Sequence, residues 1–180
     1  MFRASLCCVL MLLACSVGAQ SQSPYVGQEY REIKALSPQE ISDYLSGRGM
    51  GLAKAAELNG YPGPAHVLEL ATQLNLTADQ KAKTEALFRS MQARAIPLGK
   101  ELVEEERALD RLFASHSATP DALDSSLARI GKLQAQVRQT HLDAHLKQTA
   151  LLSPEQINQY NRLRGYEPTP GNENHDQRRH

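Results

Sequence analysis

The sequence predicts an all-α protein, a hook-shaped antiparallel helical hairpin of four to five helices, and three observations carry that prediction. Ala, Leu, Gln, Glu and Arg fill long uninterrupted runs, whereas the 11 Gly and 9 Pro cluster at a few places that read as turns. One helix-start signal recurs as Leu36-Ser37-Pro38-Gln39-Glu40, Leu76-Thr77-Ala78-Asp79-Gln80 and Leu152-Ser153-Pro154-Glu155-Gln156. In each, a Ser or Thr hydroxyl is placed to accept from a first-turn amide and a Glu or Gln three residues on reaches back. Pro costs nothing at the first helical position, and the preceding Leu is set to act as a hydrophobic staple. Finally, two apolar stripes at three-four spacing flank one polar break, as the two arms of a hairpin require.

Taken in order, the first nineteen residues read as an address rather than as fold. Arg3 precedes an apolar run, Leu6 to Leu13, that is too short to span a bilayer, and Val17-Gly18-Ala19 supplies the small residues of a leader-peptidase site. Leu12-Leu13-Ala14-Cys15 is an alternative, lipobox-like signal that would anchor the chain as a lipoprotein at Cys15. Cys7, Cys8 and Cys15 all lie in this segment, so cleavage after Ala19 leaves no thiol and no disulfide framework, as suits an exported periplasmic protein. Residues 20–35 are polar and without periodicity and are expected to be flexible. The helical hairpin domain then spans 36–166, and 167–180 is expected to be a disordered tail.

Within the domain, Ser37 to Asn59 predicts a first helix with Ile41, Tyr44, Leu45, Leu52, Ala55 and Leu58 on one face. Gly47, Gly49 and Gly51 mark either a hinge or a close approach of another helix. Gly60-Tyr61-Pro62-Gly63-Pro64 ends it and starts a short hook helix through His66, Leu68 and Leu70. A long helix follows from Thr77 to Ser115, with Phe88, Met91, Ala95, Leu98, Leu102, Leu109 and Leu112 as its stripe and Pro97 as an expected kink. Thr119-Pro120-Asp121 opens the partner helix, whose stripe is Leu123, Leu127, Ile130, Leu133 and Val137. At ~1.5 Å per residue the arms would run roughly 45 to 60 Å. Two helices cannot cover both sides of such seams, so a homodimer is expected.

Composition excludes several function classes. Twenty basic against 20 acidic residues give no general attraction for nucleic acid or anionic membrane. No Ser/His/Asp constellation is visible, GRGMG lacks both the preceding strand and the following Lys of a phosphate loop, and HLDAH lacks the Glu that a zinc protease needs. What remains is metal chemistry. His141 and His145 lie four apart on one helix face, a spacing that can chelate one divalent cation, and the alternative is a packed seam His141 with a solvated His145. His66 and Glu69, three apart in the hook helix, would join them if the hook folds onto the hairpin, or else serve only that helix's start. Glu104-Glu105-Glu106 with Arg107 reads as solvated helix surface.

The leader, the hairpin length, Leu76, Thr77 and Gln80 in LTADQ, and Leu152, Ser153 and Gln156 in LSPEQ together resemble the LTxxQ superfamily of periplasmic helical proteins. That superfamily includes Spy/CpxP-type chaperones and CnrX/ZraP-type heavy-metal sensor and resistance proteins. The resemblance implies an all-helical hook-shaped hairpin, commonly a homodimer, and no catalysis. It further implies either a divalent metal such as zinc, nickel or cobalt held by hook and hairpin histidines, or ATP-independent holding of unfolded client proteins, with a membrane signalling partner in the sensor case. LSPEQ departs from the motif by Ser153 for Thr, which keeps the capping hydroxyl. The His141/His145 pair has a spacing comparable to the His/Met pair of the sensors, but its distance to the closing LSPEQ differs from theirs and His replaces Met.

Export and cleavage after Ala19 should give a periplasmic product whose intact mass begins at Gln20. A diacylglyceryl-modified Cys15 at the new N-terminus would instead establish the lipoprotein route.

Overall fold

A computed structural model describes residues 23–166; the leader, the tail and the tail histidines His175 and His180 lie outside the described residues. Among the described residues are six α-helices and no strand: α1 Pro38–Leu45, α2 Lys54–Glu57, α3 Pro64–Glu69, α4 Ala78–Ala114, α5 Pro120–Thr149 and α6 Pro154–Leu163. A short 3₁₀ turn, Gln28–Tyr30, precedes them. The fold is therefore all-α, with α4 and α5 packed along each other as the arms of a helical hairpin. Helix α4 runs through Pro97 without a break.

The two stripes meet largely as their periodicity requires. Met91, Ala95 and Leu102 from α4, and Ile130, Leu133 and Val137 from α5, are buried. Leu127 is the exception at 49% exposed, and its neighbour Ser126 is the residue buried at that level. The acidic run is likewise not uniform surface. Glu104 faces solvent beside Arg107, Glu105 reaches across to Arg129 at 2.8 Å, and Glu106 is buried, which pushes its carboxyl above the usual range.

Three helices begin with complete capping boxes, at Ser37, Thr77 and Ser153. The last two do more than cap. Gln80 Oε1 accepts from Thr77 N–H at 3.1 Å, and Gln156 Oε1 accepts from Ser153 N–H at 2.9 Å. Each carboxamide also donates to the other, Gln80 Nε2 to Gln156 Oε1 at 2.8 Å and Gln156 Nε2 to Gln80 Oε1 at 3.0 Å. The second proton on each nitrogen goes to a loop carbonyl, Leu151 O for Gln80 and Leu74 O for Gln156. The starts of α4 and α6, 76 residues apart, are thereby joined through a pair in which both amides are satisfied at oxygen and nitrogen. Val67, Leu74, Leu152 and Tyr160 form the core beside it, with Leu70, Leu76 and Ile157 packed against them.

The chain before α4 runs along the hairpin. Lys34 N–H donates to Asp110 at 3.0 Å, and Ile33 and Leu36 pack on Val103. Tyr44 packs at Leu102 and Gly47 lies against Ala95 and Ile96, so the chain descends α4 toward its N-terminal end. Two expectations are corrected here. Within the segment 20–35 expected to be flexible, Ile33 is fully buried and Lys34 N–H is bonded to Asp110, anchors that periodicity could not reveal. The expected helix over 37–59 is broken after Leu45: Gly47, Met50 and Gly51 take φ values of 67°, 44° and 78°, a left-handed course that no helix accommodates. The break leaves Leu45 and Leu58 exposed and gives six helices where four to five were expected. Close approach also matters at Gly99, where a Cβ would collide with the Tyr44 carbonyl oxygen.

Replacing Gln80 or Gln156 singly by Ala should cost about 1–3 kcal/mol, because each change strands the partner amide and a loop carbonyl. The double replacement should cost clearly less than the sum, a coupling measurable by denaturant unfolding of the four proteins.

Candidate functional site

The broken segment 46–53, α2, α3 and the second half of α5 enclose a cleft of about 360 Å³ on the side of the hairpin. Its lining includes Gly49, Met50, Glu57, His66, His141, His145, Arg164 and Tyr166. The structure thus brings His66 to the same cleft as His141 and His145, although 75 residues separate His66 from His141 in sequence.

Each imidazole is held differently. His141 is 3% exposed, and its Nε2 is buried without a hydrogen-bond partner. Burial, reinforced by the neighbouring His145, lowers its pKa, so it is a neutral ring at ordinary pH. His145 Nδ1 lies 2.7 Å from the Tyr61 carbonyl oxygen. A carbonyl can only accept, so Nδ1 carries the proton and Nε2 keeps its lone pair. The ring packs so closely on Gly63 that a Cβ there would stand 2.8 Å from Nε2. His66 Nδ1 lies 2.9 Å from Glu69 Oε2, and the carboxylate again assigns the proton to Nδ1. Glu69 Oε2 accepts from His66 and so orients its ring, and Glu69 stands outside the cleft lining. That arrangement, an imidazole with Nδ1 bonded to oxygen and Nε2 free, is the one in which protein histidines bind metals.

Sequence reading missed Glu57, the acidic group of the cleft. Its Oε1 accepts from Tyr160 OH at 2.5 Å and Tyr166 OH at 2.9 Å and lies 3.4 Å from Arg164 Nε. Oε2 is buried with no hydrogen bond, 3.7 Å from His145 Nδ1. Burial and the bond to Glu57 push the Tyr160 phenol far above its ordinary value, so it stays protonated and remains a donor. No sequence signal singled out Glu57, which lies in a segment read as continuous helix. His116 sits in the α4–α5 turn at φ 53°, away from these groups.

Among the described residues no group of three or more His, Cys, Asp or Glu side chains is drawn together tightly enough to clasp an ion. The cleft gathers donors without closing them. Three buried atoms of the lining nonetheless lack a hydrogen-bond partner, His141 Nε2, Glu57 Oε2 and Arg164 Nε.

His141 also ties stability to pH. The unfolded chain protonates this group near pH 6.5, whereas the folded chain resists until lower pH. Its contribution is therefore complete above that value and is lost as pH falls below it toward the folded pKa. The melting temperature should drop more steeply below about pH 6.5 in the wild type than in His141→Gln, as thermal unfolding across pH would read; parallel profiles would show that the folded ring protonates freely.

No curated protein and no solved structure matches the chain. A family model described as heavy-metal resistance matches residues 49–159, more than half of the 180 residues, and the matched span contains His66, His141, His145 and Glu57. The chain belongs to that heavy-metal resistance family.

Proposed function

We propose that the protein is a non-enzymatic periplasmic resistance or sensor protein that captures a divalent transition-metal ion, zinc, nickel or cobalt, in the cleft between hook and hairpin. His141, His145 and His66 would present Nε2 and Glu57 would present Oε2, with Glu69 and the Tyr61 carbonyl orienting two of the rings. The observation that carries this reading is the nine-tenths-buried His141 whose Nε2 has no partner in a cleft shared with two further free imidazole nitrogens. Imidazole and carboxylate donors suit zinc, nickel and cobalt. The bound ion would supply positive charge that closes the donors around it, so that binding free energy is spent partly on ordering the hook. No helix among the described residues is long and apolar enough to cross a membrane.

Isothermal titration with each metal tests the reading. Replacing His141 and His145 together by Ala should abolish binding, Glu57→Gln should weaken it by about tenfold or more, and His116→Ala should leave it unchanged. Affinity should fall on acidification, while burial holds His141 in its neutral form below its ordinary value. Equal affinity in the wild type and the double variant would refute the site.

A second reading draws on the exposed apolar residues of the hairpin, Ile96, Phe113, Leu127 and Leu146. They favour a surface that holds an unfolded client or a second copy of the chain. Suppression of client aggregation that survives the histidine replacements would support holding as a separate activity, and sedimentation would report the homodimer.

A further inference from the structure

Residues 48–52 contribute the part of the cleft lining that lies against His141, and they are slung between two buried points, Gly47 beside Ala95 and Ile96 of α4 and Ala53 at the start of α2. The hydrogen bonds of this strap stay within its own stretch of chain. Arg48 N–H donates to Asp43 O at 2.9 Å, Leu52 N–H to Gly49 O at 2.6 Å, and the Arg48 guanidinium to Asp43 at 3.4 Å, while the Gly51 carbonyl accepts from Lys54 N–H at 3.2 Å. Among the described residues no hydrogen bond joins the strap to α4 or α5. Gly49 rests against the His141 ring, where a Cβ would stand 3.5 Å from Nδ1. The backbone is also strained, because Met50, a residue with a side chain, sits at φ 44° beside Gly51 at φ 78°.

We propose that residues 48–52 are a lid, hinged at Gly47 and Gly51, that lifts from α5 without unfolding the hairpin and so admits solutes to His141. The proposal concerns access alone and stands apart from the ion-capture reading: whatever the cleft takes, its route to His141 runs under this strap. Lifting is cheap for three reasons. It breaks no hydrogen bond to the hairpin, because the strap makes none. It leaves the strap's own turn from Gly49 to Leu52 intact, so the segment moves as a unit. It lets Met50 leave the left-handed region, which returns the strain held in the closed form. The two glycines can absorb the change in dihedral angles that the movement needs. The seam below is unaffected, since Met91, Ala95, Leu102, Ile130, Leu133 and Val137 are buried between α4 and α5 themselves. Such a segment belongs to the low end of the range of local opening free energies in a folded chain.

The experiment is trace carbethoxylation of the full exported chain by diethyl pyrocarbonate, with the modified imidazoles located by tandem mass spectrometry. The exposed His116, remote from the cleft, serves as the reference for reagent activity. In the wild type His141 should react more slowly than His116, at a rate that stays flat in urea well below the unfolding transition, as local opening requires. Two glycine replacements then shift the lid in opposite directions. Gly49→Ala adds a methyl in ordinary contact with the ring and stiffens the lifted strap, so His141 should react about two- to fivefold more slowly. Gly51→Ala puts a side chain at φ 78°, which disfavours the closed strap, so His141 should react about fivefold or more faster with the same flat urea dependence. Reaction of His141 as fast as His116 overturns the lid, because the ring would then be reached without movement. Reaction that appears only as urea approaches the unfolding transition overturns it too, because access would then need global unfolding. An unchanged or faster rate in Gly49→Ala, or an unchanged or slower rate in Gly51→Ala, overturns the hinge assignment and the proposal with it. Should Gly51→Ala fail to fold, Gly49→Ala and the urea dependence of the wild type decide. Failure of the ion titrations leaves each of these readouts untouched.

Discussion

The reciprocal amide pair of Gln80 and Gln156 is the constraint on which the rest of the described structure depends. A hairpin of two long helices specifies how its arms lie along each other, yet it says nothing about how segments outside the hairpin attach. The pair supplies that information, because each glutamine is simultaneously the third residue of a capping box and half of a cross-link. Its donors also hold the Leu74 and Leu151 carbonyls, one in each loop that leads into a capped helix. Loop, cap and cross-link therefore stand or fall together, and the core of Val67, Leu74, Leu152 and Tyr160 lies directly on them. The hook helix, which carries His66, is placed by that core through Val67.

From that fixed end the chain before α4 has a single course available. Tyr61 and Gly63 sit at His145, Gly49 at His141, Gly47 at Ala95, and Ile33 at Val103, so the contacts proceed along the hairpin in sequence order. The cleft exists because this course must pass the histidine turn of α5 in left-handed, glycine-rich chain rather than helix. Gly49 lies over the His141 ring, where a Cβ would meet Nδ1 at 3.5 Å, and His141 Nε2 is buried without a hydrogen-bond partner.

Much of the architecture was legible in the sequence for local reasons. Capping boxes, turn residues and three-four stripes are short-range signals, and they located α4, α5, α6 and the hairpin turn to within a residue or so. The repeated motif was legible as a pair of caps but not as a cross-link, since nothing in LTADQ or LSPEQ states that the two glutamines face each other. The candidate site was legible only in its imidazoles, through the four-residue spacing of His141 and His145 and the guess that the hook returns to them. Glu57 was hidden because the segment was read as continuous helix, and positive φ at Met50, a residue with a side chain, has no sequence signature. Three-residue spacing to His66 fits a shared ligand and a hydrogen-bonded support equally well, and the sequence does not show the 2.9 Å bond between Glu69 and His66.

The incomplete state of the cleft is itself physically consistent with membership of a family defined by heavy-metal resistance. A fully closed cage of imidazoles and carboxylate would hold trace metal permanently and could not report an excess. Here His141 is kept neutral by burial, His145 and His66 are each fixed through Nδ1, and Glu57 is bonded to two phenols and faced by a guanidinium. Every donor is oriented and none is drawn to a common centre. In the proposed reading, ion capture spends part of its free energy on drawing these donors together, which raises the concentration at which the site fills. Arg164 and Tyr166 beside Glu57 follow the C-terminal end of α6, the helix that the Gln80–Gln156 pair fixes at its other end. One end of α6 is thus anchored to the hairpin through the amide pair, and the other to the carboxylate of the cleft through Tyr160 and Arg164.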